Sequence, residues 1–166
     1  MATNTTVYPL YTPALYQWVA AGRDVPVEII GRPSTVPPDV WDTAVTDAMN
    51  ASAWVTAGNF TTTPDETARG NFDFVLVFGA TSTMWAKPAC AGNIDVEALG
   101  PVDGRLAILG AFCNNDRTIT TSRVTVNEFT TADSPVLHAA IDQLLTRMLP
   151  KREPDRTDRR GGPIIF

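Results

Sequence analysis

The sequence predicts an α+β fold: a single, mostly antiparallel sheet with helices packed on it, in the order α-β-α-β-β-β-α. Three observations predict it. Phe74–Phe78 and Leu106–Phe112 are apolar runs of strand length, two other segments carry apolar residues at helical spacing, and the chain is 166 residues long with 44% apolar content. That size suits one domain around one core, and that composition is too apolar for a disordered chain.

Thr12-Pro13 followed by Ala14, Leu15, Trp18 and Val19 reads as a short helix, with Thr12 as N-cap, Pro13 in the first turn and Gly22 at the stop. Val25–Ile30 alternates and is rich in β-branched residues, as strands are. Gly31 to Pro38 is a Pro-rich turn region. Asp39 to Ala53 is the first long helix, since Val40, Trp41, Ala44, Val45, Ala48 and Met49 recur at helical spacing. Asp39 and Asp42 stand near its start, where the helix dipole favours negative charge. Thr56 to Gly70 is polar, Thr-rich and punctuated by glycine, and reads as a loop or a ragged hairpin.

Asn71–Ala80 and Arg105–Cys113 read as two buried strands, separated by the long connection Thr81 to Asp103. Asn114-Asn115-Asp116 is a turn, after which Ile119–Glu128 returns as a strand, giving an antiparallel meander. Ser134-Pro135 starts the last helix, whose wide stripe runs from Val136 to Leu149, and Pro150 helps end it. Residues 1–150 thus form one α+β domain with an N-terminal arm and helix, and 151–166 an extended tail. Lys151 to Gly162 is charged and rich in Gly and Pro, so Ile164, Ile165 and Phe166 are the natural anchor of that tail, in the chain's own groove or in a neighbour's. No internal repeat is present.

The net charge of −5 argues against nucleic acid and against an anionic membrane face as partners, because both need a basic surface. No apolar run reaches the length of a transmembrane helix. Residues 1–6 show neither a basic n-region nor an apolar h-region, so the expectation is a cytosolic chain or one from which a signal has been removed.

Cys90 and Cys113 are the only cysteines. Two readings stand: a disulfide that ties the long connection to the end of the second core strand, or two independent thiols, one of them a small buried hydrophobe. Their spacing matches no zinc motif, and the single histidine, His138, cannot complete a usual structural site, so no metal and no cofactor is expected. His138 lies at the margin of the last apolar stripe. A small hydrolase pairing it with Cys90 or Cys113 is conceivable chemistry, but no flanking pattern favours it over a surface histidine. Asp65-Glu66 reads as a solvated turn rather than an acid/base pair. No phosphate loop, nucleophile elbow or paired metal histidines occur, so no catalytic residue is assigned. The glycosylation patterns at Asn4, Asn50 and Asn59 read as chance matches in a Thr-rich chain.

Tyr8, Tyr11, Tyr16 and Trp18 crowd the N-terminus. They either pack the first helix onto the sheet or form a binding face, where Tyr and Trp are enriched. Together with Ile164, Ile165 and Phe166 they are the candidate partner-binding residues.

Val27-Glu28-Ile29-Ile30-Gly31, Phe72–Phe78, Ala111-Phe112-Cys113 with Asp116, and a helix ending Leu149-Pro150 resemble a group of proteobacterial envelope (periplasmic) lipoproteins of uncharacterised role. The resemblance covers roughly Val25 to Pro150. It implies an envelope location and a Cys90–Cys113 bridge, and it transfers no catalytic residue. The topology is also similar to small envelope domains that bind other proteins. The expectation is therefore a non-enzymatic accessory protein that assembles with protein subunits through its termini. A structural subunit of a virion or other large assembly is the second reading.

Overall fold

The computed structural model describes residues 2–9, 11–32, 36–52, 58–80, 89–92, 105–127, 135–151 and 164–165. The elements are β1 (Ala2–Val7), α1 (Pro13–Ala20), β2 (Asp24–Ile30), α2 (Pro38–Ser52), β3 (Asn59–Thr61), β4 (Phe72–Phe78), β5 (Leu106–Asn114), β6 (Arg117–Val126), α3 (Pro135–Met148) and β7 (Ile164–Ile165). The strands form one seven-stranded sheet in the order β3-β2-β4-β5-β6-β1-β7. Parallel pairing is confined to β2 with β3 and with β4, and every other neighbouring pair is antiparallel. The predicted α+β architecture, a single mostly antiparallel sheet carrying helices, is what the chain forms.

Strand alternation divides the sheet into two faces. On the first, Phe74, Leu76, Phe78, Ile108 and Phe112 are buried in one cluster with side chains from all three helices. The rings of Phe74 and Phe112 stack with centroids 4.6 Å apart, and Tyr16 meets both edge-on. Trp41 of α2 meets Phe78 edge-on at 4.9 Å. On the second face Val75, Val77, Leu109, Ala111 and Cys113 are buried with Ala80 and Ala89, and Cys90 packs against them. The central strands are therefore apolar on both sides, as their unbroken runs predicted.

Helix α1 begins as its sequence specifies: the Thr12 hydroxyl accepts from the Leu15 amide at 3.0 Å, Pro13 fills the first position, and Gly22 takes φ +68 just past the end. Its attachment is reinforced from afar, because the buried Tyr11 hydroxyl donates to the Pro150 carbonyl at 2.7 Å and so links the start of α1 to the end of α3. At the other end of β2, Arg32 holds Asp42 of α2 through two hydrogen bonds of 2.8 and 2.9 Å. The proposed cap Ser134 lies outside the described residues.

Three strands depart from the sequence expectation. The N-terminal arm is β1, paired with β6 along its whole length, and its Thr5 hydroxyl meets that of Ser122 at 2.8 Å in a buried contact. Part of the segment expected to be a loop or hairpin is β3, a strand parallel to β2, so β2-α2-β3 is a crossover unit rather than a hairpin. The side chain of Asn50 secures it: its amide carbonyl accepts from the Phe60 amide at 2.8 Å, and its amide nitrogen donates to the Phe60 carbonyl at 3.2 Å. One asparagine thus serves the outer side of a sheet edge as a peptide group would. The tail returns as β7, with Ile165 opposite Thr6 and Ile164 opposite Val7, so the tail's backbone is anchored on the chain's own sheet. Phe166 lies outside the described residues.

At Gly110 the side chains of α3 lie directly against the backbone of β5. A Cβ there would lie 2.6 Å from the Met148 sulfur and 2.9 Å from a Leu144 methyl. Gly110→Val should therefore lower the unfolding free energy by about 1–3 kcal/mol through overpacking. Gly110→Ala should cost less, because the atoms it meets are the ends of flexible side chains. Equilibrium urea denaturation of the two variants checks both values and their order.

Candidate functional site

The N-terminal aromatics do not form one face. Tyr11 and Tyr16 have no exposed surface and belong to the helix–sheet core, so their assignment as partner-binding residues is corrected. Burial pushes both phenols well above the usual tyrosine range, with Tyr16 adding to the effect on Tyr11. Tyr8 is partly buried, and its amide donates to the Ile119 carbonyl at 3.1 Å. Trp18 is different: it projects from α1 with 51% of its surface exposed. Helical periodicity explains the split, because Tyr16, Val19 and Ala20 share the inward face and Trp18 lies off it.

Trp18 is exposed but braced. The Arg69 guanidinium carbon sits 3.5 Å from the centre of a Trp18 ring, a cation–π contact, and Arg69 Nε donates to the Trp18 carbonyl at 2.9 Å. Phe72, at the start of β4, meets Trp18 edge-on at 5.8 Å. The loop that supplies Arg69 is itself fixed to the α1–β2 turn. Arg23 donates to the Thr67 carbonyl at 2.9 Å, the Asp24 amide to the Thr67 hydroxyl at 2.9 Å, and the Asp65 amide to the Asp24 carboxylate at 3.1 Å. The result is a fixed surface carrying an exposed indole and two guanidiniums. Desolvation, followed by the charge of Arg23, draws Arg69 below its ordinary value, and it remains a cation at neutral pH because that ordinary value is so high. Neither arginine makes an ion pair among the described residues.

The other candidates resolve into structural roles. Cys90 and Cys113 are bonded to each other, with their Cα atoms 5.6 Å apart. That removes the nucleophile on which a Cys–His hydrolase would depend, and overturns that reading. His138 is exposed on the outer side of α3. Asp65 accepts from both the hydroxyl and the amide of Thr67, which closes a local turn and holds its carboxyl below the usual range. Of the glycosylation patterns, the Asn50 amide is engaged by Phe60, and the Asn59 amide donates to Asp24 at 3.0 Å. Among the described residues no three His, Cys, Asp or Glu side chains group as metal ligands, and no helix is long and apolar enough to cross a membrane.

Sequence reasoning missed Arg69, Arg23 and Phe72. Arg69 is 51 positions from Trp18 in the chain, and no local pattern links them. It also missed Asp73, which follows Phe72 on the second face of β4, opposite Cys113 in the register with β5. Burial, then the nearby Glu28 charge, push the Asp73 carboxyl up to about 6 from an ordinary 3.8.

No protein-family model matches the chain, and no curated protein does. Among solved structures the chain is similar to the PelC dodecamer from Paraburkholderia phytofirmans, with 12% identity over 92% of this chain and 99% of that one, and a TM-score of 0.48. A leucine-to-methionine variant of that PelC, also a dodecamer, is similar at 11% identity over 89% of this chain and 96% of that one, with a TM-score of 0.48.

A group whose folded pKa is raised binds protons more tightly when folded. The contribution of Asp73 therefore favours the fold below about pH 4 and is lost as pH rises through about 6. Asp73→Asn should flatten the stability profile across that window and leave the variant more stable than the parent at neutral pH. Solvent screening at this half-buried site keeps the gain well below full linkage. Denaturant unfolding at a series of pH values tests this; a variant less stable than the parent at neutral pH would contradict it.

Proposed function

We propose that the chain is a non-enzymatic assembly protein of the bacterial envelope, binding partner subunits through the surface around Trp18. The observation that carries this reading is a large aromatic side chain held exposed in one position by Arg69 and Phe72. Tryptophan and arginine are the residue types that dominate binding energy at protein interfaces, and a side chain already fixed loses little further entropy on binding. The Cys90–Cys113 bridge supports an oxidising compartment, which fits the envelope better than the cytoplasm. It thereby also supports the resemblance to envelope lipoproteins. The C-terminal strand has a supporting part: among the described residues it pairs with Thr6 and Val7 of the β1 edge.

Photo-crosslinking in cells that export the chain to the periplasm tests this. With Trp18 replaced by benzoylphenylalanine, irradiation should give a discrete adduct with a protein. The same replacement of Asp142, on the outer side of α3, should not. No adduct at position 18, or equal adducts at both positions, would contradict the reading.

A further inference from the structure

The sheet has β3 at one edge, and an edge strand offers its unpaired peptide groups to any extended chain. The direction of those groups is fixed here. The Asn59 amide donates inward to the Arg23 carbonyl at 3.1 Å, and successive residues of a strand turn their N–H and C=O to opposite sides, so Phe60 turns both of its groups outward. Both meet the same side chain. The Asn50 carbonyl oxygen accepts from the Phe60 amide at 2.8 Å, and the Asn50 amide nitrogen donates to the Phe60 carbonyl at 3.2 Å. A neighbouring strand would supply this same donor–acceptor pair, so Asn50 occupies the place of one residue of an incoming strand.

A need to satisfy buried groups does not explain the arrangement. Asn50 is exposed, and so is Asn59, the residue before Phe60. Water would reach the Phe60 peptide groups if the Asn50 side chain were cut back. Asn50 also shares the work of holding β3: the Phe60 ring is buried and meets Phe74 edge-on at 5.1 Å, and Asp24, Val25 and Pro26 pair with Asn59, Phe60 and Thr61. Without Asn50 the strand would keep these attachments, with its outward groups open to solvent and to another chain. At the far side of the sheet, Thr6 and Val7 of β1 are paired by the backbone of β7. At β3 a side chain of α2 takes that part.

We propose that Asn50 is an autoinhibitory contact that keeps the β3 edge from pairing with the same edge of a second copy of this chain. The bare edge would be self-complementary. Two β3 strands, antiparallel about a twofold axis with Phe60 opposite Phe60, exchange between them the two kinds of hydrogen bond that Asn50 now makes. Asn59, Phe60 and Thr61 carry no charge, so the strands themselves do not repel. Closing this edge leaves association to other surfaces, that of Trp18 among them.

Sedimentation velocity of the full chain over a concentration series tests this, with a circular dichroism melt of each variant to confirm its fold. Asn50→Ala should strengthen self-association over the parent by about tenfold or more. Adding Thr61→Lys to Asn50→Ala should return sedimentation to that of the parent, because the paired edges would then carry two lysines as diagonal neighbours on one face. The melting temperature should stay at the Asn50→Ala value, which separates this reversal from a gain in stability. Should Asn50→Ala fail to fold, Asn50→Asp replaces it: its carboxylate still accepts from the Phe60 amide but cannot donate to the carbonyl, and self-association should again rise. A folded variant that sediments like the parent, or association that Thr61→Lys leaves unchanged, overturns the proposal. Neither result touches the Trp18 reading, which the crosslinking tests separately.

Discussion

The structure depends on covering both faces of its two central strands. Phe74–Phe78 of β4 and the facing stretch of β5 have no polar side, so a single helical layer cannot bury them. The helices cover the first face. On the second, Ala89 and Cys90 pack against the sheet, and the Cys90–Cys113 bridge bonds that segment to β5. The Cys90 sulfur also lies 3.5 Å from the Thr118 hydroxyl on β6, so the attachment point touches two strands. Without a fixed cover, Val75, Val77, Leu109 and Ala111 would present a continuous apolar strip to water.

Much of this arrangement was legible in the residues because it is encoded locally. The strand-length apolar runs, the helical stripes and the Thr12-Pro13 start each state their structure within a dozen positions. What escaped was structure defined by a distant partner. β1 is uncharged and mostly polar, and becomes a strand because β6 offers it an edge and Ser122 meets Thr5. β3 has three residues, too few for any periodicity, and owes its place to Asn50. β7 has two, and only its pairing with β1 defines it.

The same distinction governs the candidate site. Trp18 was identified because aromatic residues are conspicuous, yet it was grouped with Tyr11 and Tyr16, whose burial follows from helix periodicity and from the Pro150 carbonyl far along the chain. The residues that make Trp18 a defined surface, Arg69 and Arg23, come from a loop and a turn joined through Thr67 and Asp24. That loop could be seen as polar and Thr-rich, but not as the brace of an exposed indole. Its threonines and aspartates close turns, and this fixes the position of Arg69. Rigidity in the loop is thus a structural property that acts through the surface it presents.

A fold that uses one sheet face for helices and the other for a disulfide-tied cover leaves Trp18, at one end of the sheet, and the outer surfaces of its helices exposed. The assembly reading rests on the exposed, braced Trp18, and the sheet whose strand β4 supplies Phe72 beside it depends on the bridge. The most direct measurement is the unfolding free energy of the full chain with the bridge intact, compared with a Cys90→Ala, Cys113→Ala double variant in the same buffer. Closing a loop over a sequence separation of 23 should contribute about 3 kcal/mol, so the variant should lose roughly that amount. Amide hydrogen exchange should also quicken in β4 and β5. Equal stability and unchanged exchange would mean that the second face is covered without the bridge, and would contradict the account.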